Sequence, residues 1–193
     1  MHALFPKCPV RFEDDNDYKL KIVEEAPYIA KTSGERNFPW RFFVIAKHEK
    51  TLVENEMVYK LSAPCELEDY SWVTPGKSSW EWWNPSLYNV GFRVGSNTQT
   101  YKYYVDFAAN MGLEYMLMDG AWMAAASDPW TPNPEINLPE VIQYAMQRNV
   151  KVLLWLSWLT VEKHFDQLFA RYAMAGISGL KICLLYTSPS PRD

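Results

Sequence analysis

Three places in the chain set an acid or a hydroxyl beside tryptophan near the end of an apolar run: Glu81 with Trp82 and Trp83, Asp119 with Trp122, and Trp155 with Ser157 and Trp158. Carboxylates among indoles suit a sugar, because the indole offers a flat face to C–H groups while the carboxylate takes hydroxyls. Hydrolysis of a glycosidic bond needs two carboxylates flanking it, ~5–5.5 Å apart when one attacks and ~6.5–9.5 Å apart when one activates water. Asp119 could hold a sugar hydroxyl, belong to such a pair, or cap the loop that follows it. Glu81 alternates with Trp80 and Trp82, so on a strand either Glu81 or the tryptophans would face the common axis. Each tryptophan has core packing as its alternative, Trp155 most of all, since it lies inside an apolar strand. Glu114 and Lys181 read as structural ion-pair members near the other ends of their strands.

The elements around these residues alternate. Lys77 to Trp83 reads as a strand. Asn97 is a good N-cap, and a helix follows from Thr98 to Met111, stopped by Gly112. Its Tyr101, Tyr104, Val105 and Ala108 recur at three- and four-residue spacing and form one buried stripe. Leu113 to Met118 is the next strand, with Asp119 at its end. Asn137 caps a second helix, with Pro139 in its first turn, running to about Asn149. Val150 to Leu156 is a continuous apolar strand. A third helix spans about Val161 to Ala175 and stops at Gly176, and Gly179 to Ile182 starts a fourth strand. Strand starts at about 77, 113, 150 and 179 fit right-handed crossover units. A doubly wound sheet and a (β/α)₈ barrel both fit this order. The absence of a GxGxxG or Walker loop after any strand weighs against a nucleotide-binding doubly wound sheet. Barrels place their chemistry at the C-terminal ends of strands, where the tryptophans and acids above lie.

Residues 1 to 68 read differently. Tyr18 to Val23 alternates like a half-buried strand, and Trp40 to Ala46 is an aromatic and β-branched run with the look of a buried one. Leu52 to Leu61 fits a short helix or a strand. So few strands do not make a sheet domain alone, so this segment reads as the end of a larger β domain.

Composition narrows the partners. Lys plus Arg number 19 and Asp plus Glu 23, and this deficit of cations argues against nucleic acid. No apolar stretch approaches the ~20 residues of a membrane-spanning helix. Cys8, Cys65 and Cys183 show no metal-ligand spacing, and buried free thiols are expected, with a Cys8–Cys65 bridge left open. His2, His48 and His164 are scattered. The first residues lack the basic start and apolar run of a signal peptide, which fits a cytoplasmic protein if the start is natural and says nothing if the chain is truncated.

Several motifs in order resemble glycoside hydrolase family 97. They are Trp72-Val-Thr-Pro-Gly-Lys-Ser-Ser-Trp-Glu-Trp-Trp-Asn, Asn97-Thr-Gln-Thr-Tyr-Lys-Tyr-Tyr-Val-Asp-Phe-Ala, Gly112-Leu-Glu-Tyr-Met-Leu-Met-Asp, Asn137-Leu-Pro-Glu, Val152-Leu-Leu-Trp-Leu-Ser-Trp and Gly176-Ile-Ser-Gly-Leu-Lys-Ile. Phe38-Pro-Trp-Arg and Tyr59-Lys-Leu look like the family's join between its N-terminal domain and its barrel. The resemblance covers roughly residues 4 to 182. It implies a β-sandwich, a (β/α)₈ catalytic barrel and a further small β domain, in calcium-dependent, exo-acting α-glucosidases and α-galactosidases that are secreted or periplasmic.

The chain departs from that family in two places. Asp119-Gly120-Ala121-Trp122 stands where the family usually has Asp-Glu-Gly-Trp. Cys183 stands where retaining members carry an aspartate nucleophile, and residues 184–193, Leu-Leu-Tyr-Thr-Ser-Pro-Ser-Pro-Arg-Asp, resemble nothing in the family and look like adaptor or vector read-through. A Ser-Pro-Ser-Pro tail does not form the helix due after a fourth strand.

The expected fold is therefore α/β: residues 1–68 end a β-sandwich, residues 69–182 form the first four β/α units of a (β/α)₈ TIM barrel, and residues 183–193 are a foreign tail. From Lys77 to Ile182 is 182 − 77 + 1 = 106 residues, against ~250 for a complete barrel. Catalytic groups and calcium-binding glutamates are expected outside this chain, with no calcium bound by it and no hydrolysis from it alone. Trp82, Asp119, Trp122, Trp155 and Trp158 are expected to line the pocket and position an oligosaccharide, without transferring protons. An open strand edge and exposed inner face are expected to limit solubility. Two rival readings are a non-catalytic carbohydrate-binding module and another barrel enzyme, acting on phosphosugars, with Lys151 or Lys181 as a Schiff base. Both lysines, however, sit near strand starts.

Overall fold

The computed structural model describes residues 7–16, 19–35, 42–82, 87 and 89–183. The described residues divide into two compact units, 7–30 with 76–183 and, separately, 31–75.

The first unit begins with an antiparallel hairpin, β1 (Pro9–Asn16) and β2 (Lys19–Glu25), whose ladder is broken by three register shifts. The expected strand over 18–23 is thus β2 from Lys19 on, with Tyr18 outside the described residues, and the sequence signal missed its charged, irregular partner β1. The second unit holds two short helices, α1 (Lys50–Val53) and α2 (Met57–Leu61), neither with a buried residue. Residues 42–46 form no strand, which corrects the reading of Trp40 to Ala46; Trp40 and Arg41 lie outside the described residues. Phe43 and Ile45 are 70% and 81% exposed: an apolar run becomes a strand only when a ladder partner takes up its N–H and C=O groups.

The rest of the first unit is a four-stranded parallel sheet, β3 (Ser78–Trp80), β4 (Tyr115–Met118), β5 (Lys151–Ser157) and β6 (Ile177–Cys183), in the order β3-β4-β5-β6. The helices α3 (Thr98–Asn110), α4 (Leu138–Met146), α5 (Trp158–Lys163) and α6 (Phe165–Ala175) connect the strands. Spatial order follows chain order without a reversal, whereas a doubly wound sheet has a switch point.

Local chemistry sets the helix ends. The Asn97 side chain accepts the Thr100 N–H at 2.9 Å, and the Asn137 side chain accepts the Glu140 N–H. Gly112 and Gly176 lie past the ends of α3 and α6 in the left-handed region, at φ +65° and +88°, where a Cβ is costly. The single third helix expected over 161–175 is two helices. Buried Ser157 caps α5 by accepting the Thr160 N–H at 3.2 Å, which starts the helix at Trp158, and a non-helical ψ at His164 separates it from α6.

The core forms between one face of the sheet and these helices. Met116, Met118, Val152, Leu154 and Leu156 pack with Val105, Ala108, Val141, Ala145 and Leu168, all at most 1% exposed. Strand alternation sends Leu117, Leu153, Trp155, Gly179 and Lys181 to the opposite face.

Candidate functional site

On that opposite face, at the C-terminal ends of the four strands, lies a cavity of about 570 Å³. Its lining includes Trp80, Glu81, Trp82, Asp119, Trp155 and Lys181, with Gly120 and Cys183 beside them.

Asp119 is its hub. It follows β4 and caps the 3₁₀ turn Gly120–Trp122, its Oδ1 accepting the Gly120 N–H at 2.8 Å. Its Oδ2 accepts the Trp80 indole N–H at 2.7 Å and the Lys181 ammonium at 2.9 Å. Lys181 Nζ also lies 3.9 Å from the centre of the Trp80 ring, within cation–π range. Capping the loop and serving the cavity, two alternatives from the sequence, are thus both true of Asp119, through different oxygens. The register makes this possible: Lys181 pairs with Trp155 on β5 and lies two residues before Cys183, late in its strand. Lys181 is therefore not an ion-pair residue near a strand start. Glu114 does lie at that far end, where it accepts the Lys77 N–H at 2.7 Å.

Glu81 corrects a second expectation. β3 ends at Trp80, so the two-residue alternation stops there and Trp80, Glu81 and Trp82 all reach the cavity. Glu81 Oε1 accepts the Asp119 backbone N–H at 2.8 Å and the Tyr101 hydroxyl at 2.9 Å. Its Oε2 is buried and has no hydrogen-bond partner among the described residues. Burial raises the Glu81 carboxyl above the usual glutamate range, with the nearby Asp119 charge adding to the rise and the donated hydrogen bonds opposing it. Tyr101 is likewise raised, by burial and by the charge and hydrogen bond of Glu81.

Of the five tryptophan and acid positions read from the sequence, Trp82, Asp119 and Trp155 line the cavity. Trp122 and Trp158 do not. Trp122 is 1% exposed in the core, where its indole N–H donates to the Trp155 carbonyl at 2.9 Å and its ring meets Tyr172 edge-on. Trp158 is the half-buried first residue of α5, turned out of the strand path by the Ser157 cap. The five positions left out Trp80, which the sequence offered only as an alternative to Glu81, and Lys181, which it placed near a strand start, although the position of Lys181 two residues before the family's nucleophile position was a usable signal. Tyr101 is buried, as its stripe implied, and its hydroxyl reaches Glu81. Trp83 lies outside the described residues.

Two carboxylates reach the cavity, and Glu81 Oε1 is engaged by the Asp119 backbone N–H. Asp119 Oδ2 faces two donors, and no three His, Cys, Asp or Glu side chains among the described residues gather as metal ligands. The three cysteines are free, and Cys65 is exposed where a buried thiol was expected.

The glycoside hydrolase 97 profile matches residues 80–187, and the glycosyl-hydrolase 97 N-terminal profile matches residues 8–64. The first match runs past Ile182 into the stretch read above as foreign. A protein of Bacteroides thetaiotaomicron named retaining alpha-galactosidase is 38% identical over 184 residues, covering 94% of this chain and 28% of that relative. A Streptomyces bingchenggensis relative is 28% identical over 173 residues. The chain spans 28% and 26% of the lengths of these two curated relatives. Among solved structures, a glycoside hydrolase family 97 enzyme of Pseudoalteromonas sp. strain K8 in complex with acarbose superposes with a TM-score of 0.53 and 26% identity, covering 66% of this chain and 22% of that one. A variant of the same enzyme in complex with panose gives 0.54 and 27%, covering 68% of this chain and 22% of that one.

Proposed function

This chain belongs to glycoside hydrolase family 97, and from that premise we propose that it is the stretch of an exo-acting α-glycosidase that shapes the sugar end of the pocket. Terminal α-galactosides and α-glucosides are the substrate class. The four parallel strands, with sequential order and helices against one face, are in this reading half of a (β/α)₈ barrel, and the hairpin belongs to a β-sandwich before it.

One observation carries the reading: an acid, a cation and three indoles meet in one cavity at the C-terminal ends of parallel strands. Trp82, 66% exposed, offers a face to a pyranose ring, Trp155, 8% exposed and part of the core cluster, forms part of the cavity wall, and Asp119 with Lys181 offers an acceptor and donors to the hydroxyls. The acid, the attacking or water-activating carboxylate and the calcium ligands are supplied by other residues of the whole enzyme, so this chain alone binds and does not cleave. A secreted or periplasmic location goes with this reading. A self-contained carbohydrate-binding module fits less well, because such modules are β-sandwiches and this cavity is built on crossover units. A Schiff-base enzyme fits less well because Lys181 is engaged with Asp119.

Titration of the purified chain with galactose and with glucose, read by tryptophan fluorescence, tests the proposal. Weak, millimolar quenching that disappears in Asp119→Ala is expected, with no release of nitrophenol from nitrophenyl α-galactoside. Micromolar binding would favour the module, and hydrolysis above buffer background would refute the assignment of the reactive groups to other residues.

A further inference from the structure

We propose that Glu81 is the positioning residue of this cavity: by holding the backbone of Asp119, it sets the angle at which the Asp119 carboxylate meets Trp80 and Lys181.

The hydrogen bonds run in one direction. Tyr101, reaching from α3, and the Asp119 N–H both donate to Glu81 Oε1. Asp119 then spends its own oxygens on Gly120, Trp80 and Lys181. Glu81 thus ties the first helix of the unit to the turn after β4, and every contact of the Asp119 side chain is made from a backbone that Glu81 anchors. A loop residue has few other constraints, whereas a buried carboxyl with two donors on one oxygen fixes both its neighbours.

The ionisable groups facing Glu81 among the described residues are Tyr101 and Tyr104 on α3 and Asp119 after β4, with Lys181 on β6 reached through Asp119. Among the described residues no cation contacts it directly, so ionising Glu81 places a second negative charge beside Asp119. The hydrogen-bond pattern therefore couples the Trp80–Asp119–Lys181 cluster to the protonation of a residue that need not touch the ligand. Calling the cluster a sugar-binding one rests on the function proposed above; the positioning role does not.

Nuclear magnetic resonance of the ¹⁵N-labelled chain tests this. The Asp119 amide and the Trp80 indole N–H are followed as the pH is raised. In the native chain both resonances are expected to shift together, with a midpoint above the ordinary glutamate range. Glu81→Gln retains an acceptor oxygen, so both resonances should stay near their native acidic positions and lose that step. Glu81→Ala should displace both. Persistence of the step in Glu81→Gln, or a Trp80 indole resonance that ignores both substitutions and the pH, would overturn the proposal. The readout needs no sugar: a titration as expected with no galactose or glucose response would sink the functional reading and leave this one standing.

Discussion

Breaking the Asp119–Lys181 pair should be felt in the stability of the whole sheet. At 2.9 Å the two charges attract by about 6 kcal/mol at an effective dielectric of ~20. Desolvation removes most of that. The Asp119 side chain is 14% exposed and Lys181 35%, so the pair lies between a surface bridge, worth roughly 0–1 kcal/mol, and a fully buried one, whose disruption costs ~3–5 kcal/mol. Asp119→Asn is informative because the amide has one oxygen. Turned one way it loses the Gly120 N–H, and turned the other it loses Trp80 and presents a donor to the Lys181 ammonium. A cost of about 2 kcal/mol is expected, equivalent to roughly 4–8 °C in Tm for a chain of this size. Lys181→Met keeps the aliphatic stem on Trp80 and removes the charge. A double-mutant cycle over the two substitutions, measured by urea unfolding, should return a coupling of about 1–3 kcal/mol. A coupling below about 0.5 kcal/mol, the ordinary deviation from additivity, would refute the claim that these residues act as a unit.

Glu81→Gln should change how stability depends on pH. Because the folded state raises the Glu81 carboxyl above its ordinary 4.5, the folded chain holds its proton more tightly than the unfolded one. Native stability therefore falls as the pH rises from about 4.5 to the folded midpoint, and the variant, lacking that proton, gains on the native chain across the window. Urea midpoints that run parallel at every pH would contradict this. Trp82→Ala should abolish the sugar response with a stability change within about 0.5 kcal/mol, since Trp82 is 66% exposed. Trp122→Phe should cost about 2–3 kcal/mol, from the lost bond to the Trp155 carbonyl and the cavity left in the core, while keeping the response; equal effects of the two substitutions on fluorescence titration would undo the separation of cavity from core. A Cβ on Gly120 would come within 3.2 Å of the Trp155 ring, so Gly120→Ala should cost about 1–3 kcal/mol and displace that ring, visible as a shifted Trp155 indole resonance.

The chain's local chemistry was legible before any fold was known. The N-caps at Asn97 and Asn137, the stops at Gly112 and Gly176 and the buried stripe of α3 each depend on residues within a turn or two of one another, and the structure has them where spacing put them. The apolar run at 42–46 misled because a strand is stabilised by a partner that the run itself does not specify. Trp122 misled for the related reason that an indole beside an acid in sequence fits core and cavity equally well, and only packing against Tyr172 and the Trp155 carbonyl decided it. The site needed the register. Trp80 and Lys181 stand 39 and 62 residues from Asp119, and the pairing of four parallel strands sets all three at one end of the sheet. Alternation assigns a face only as long as a strand continues, so the end of β3 at Trp80, fixed by where its pairing with β4 stops, is what lets Glu81 and the tryptophans share a cavity.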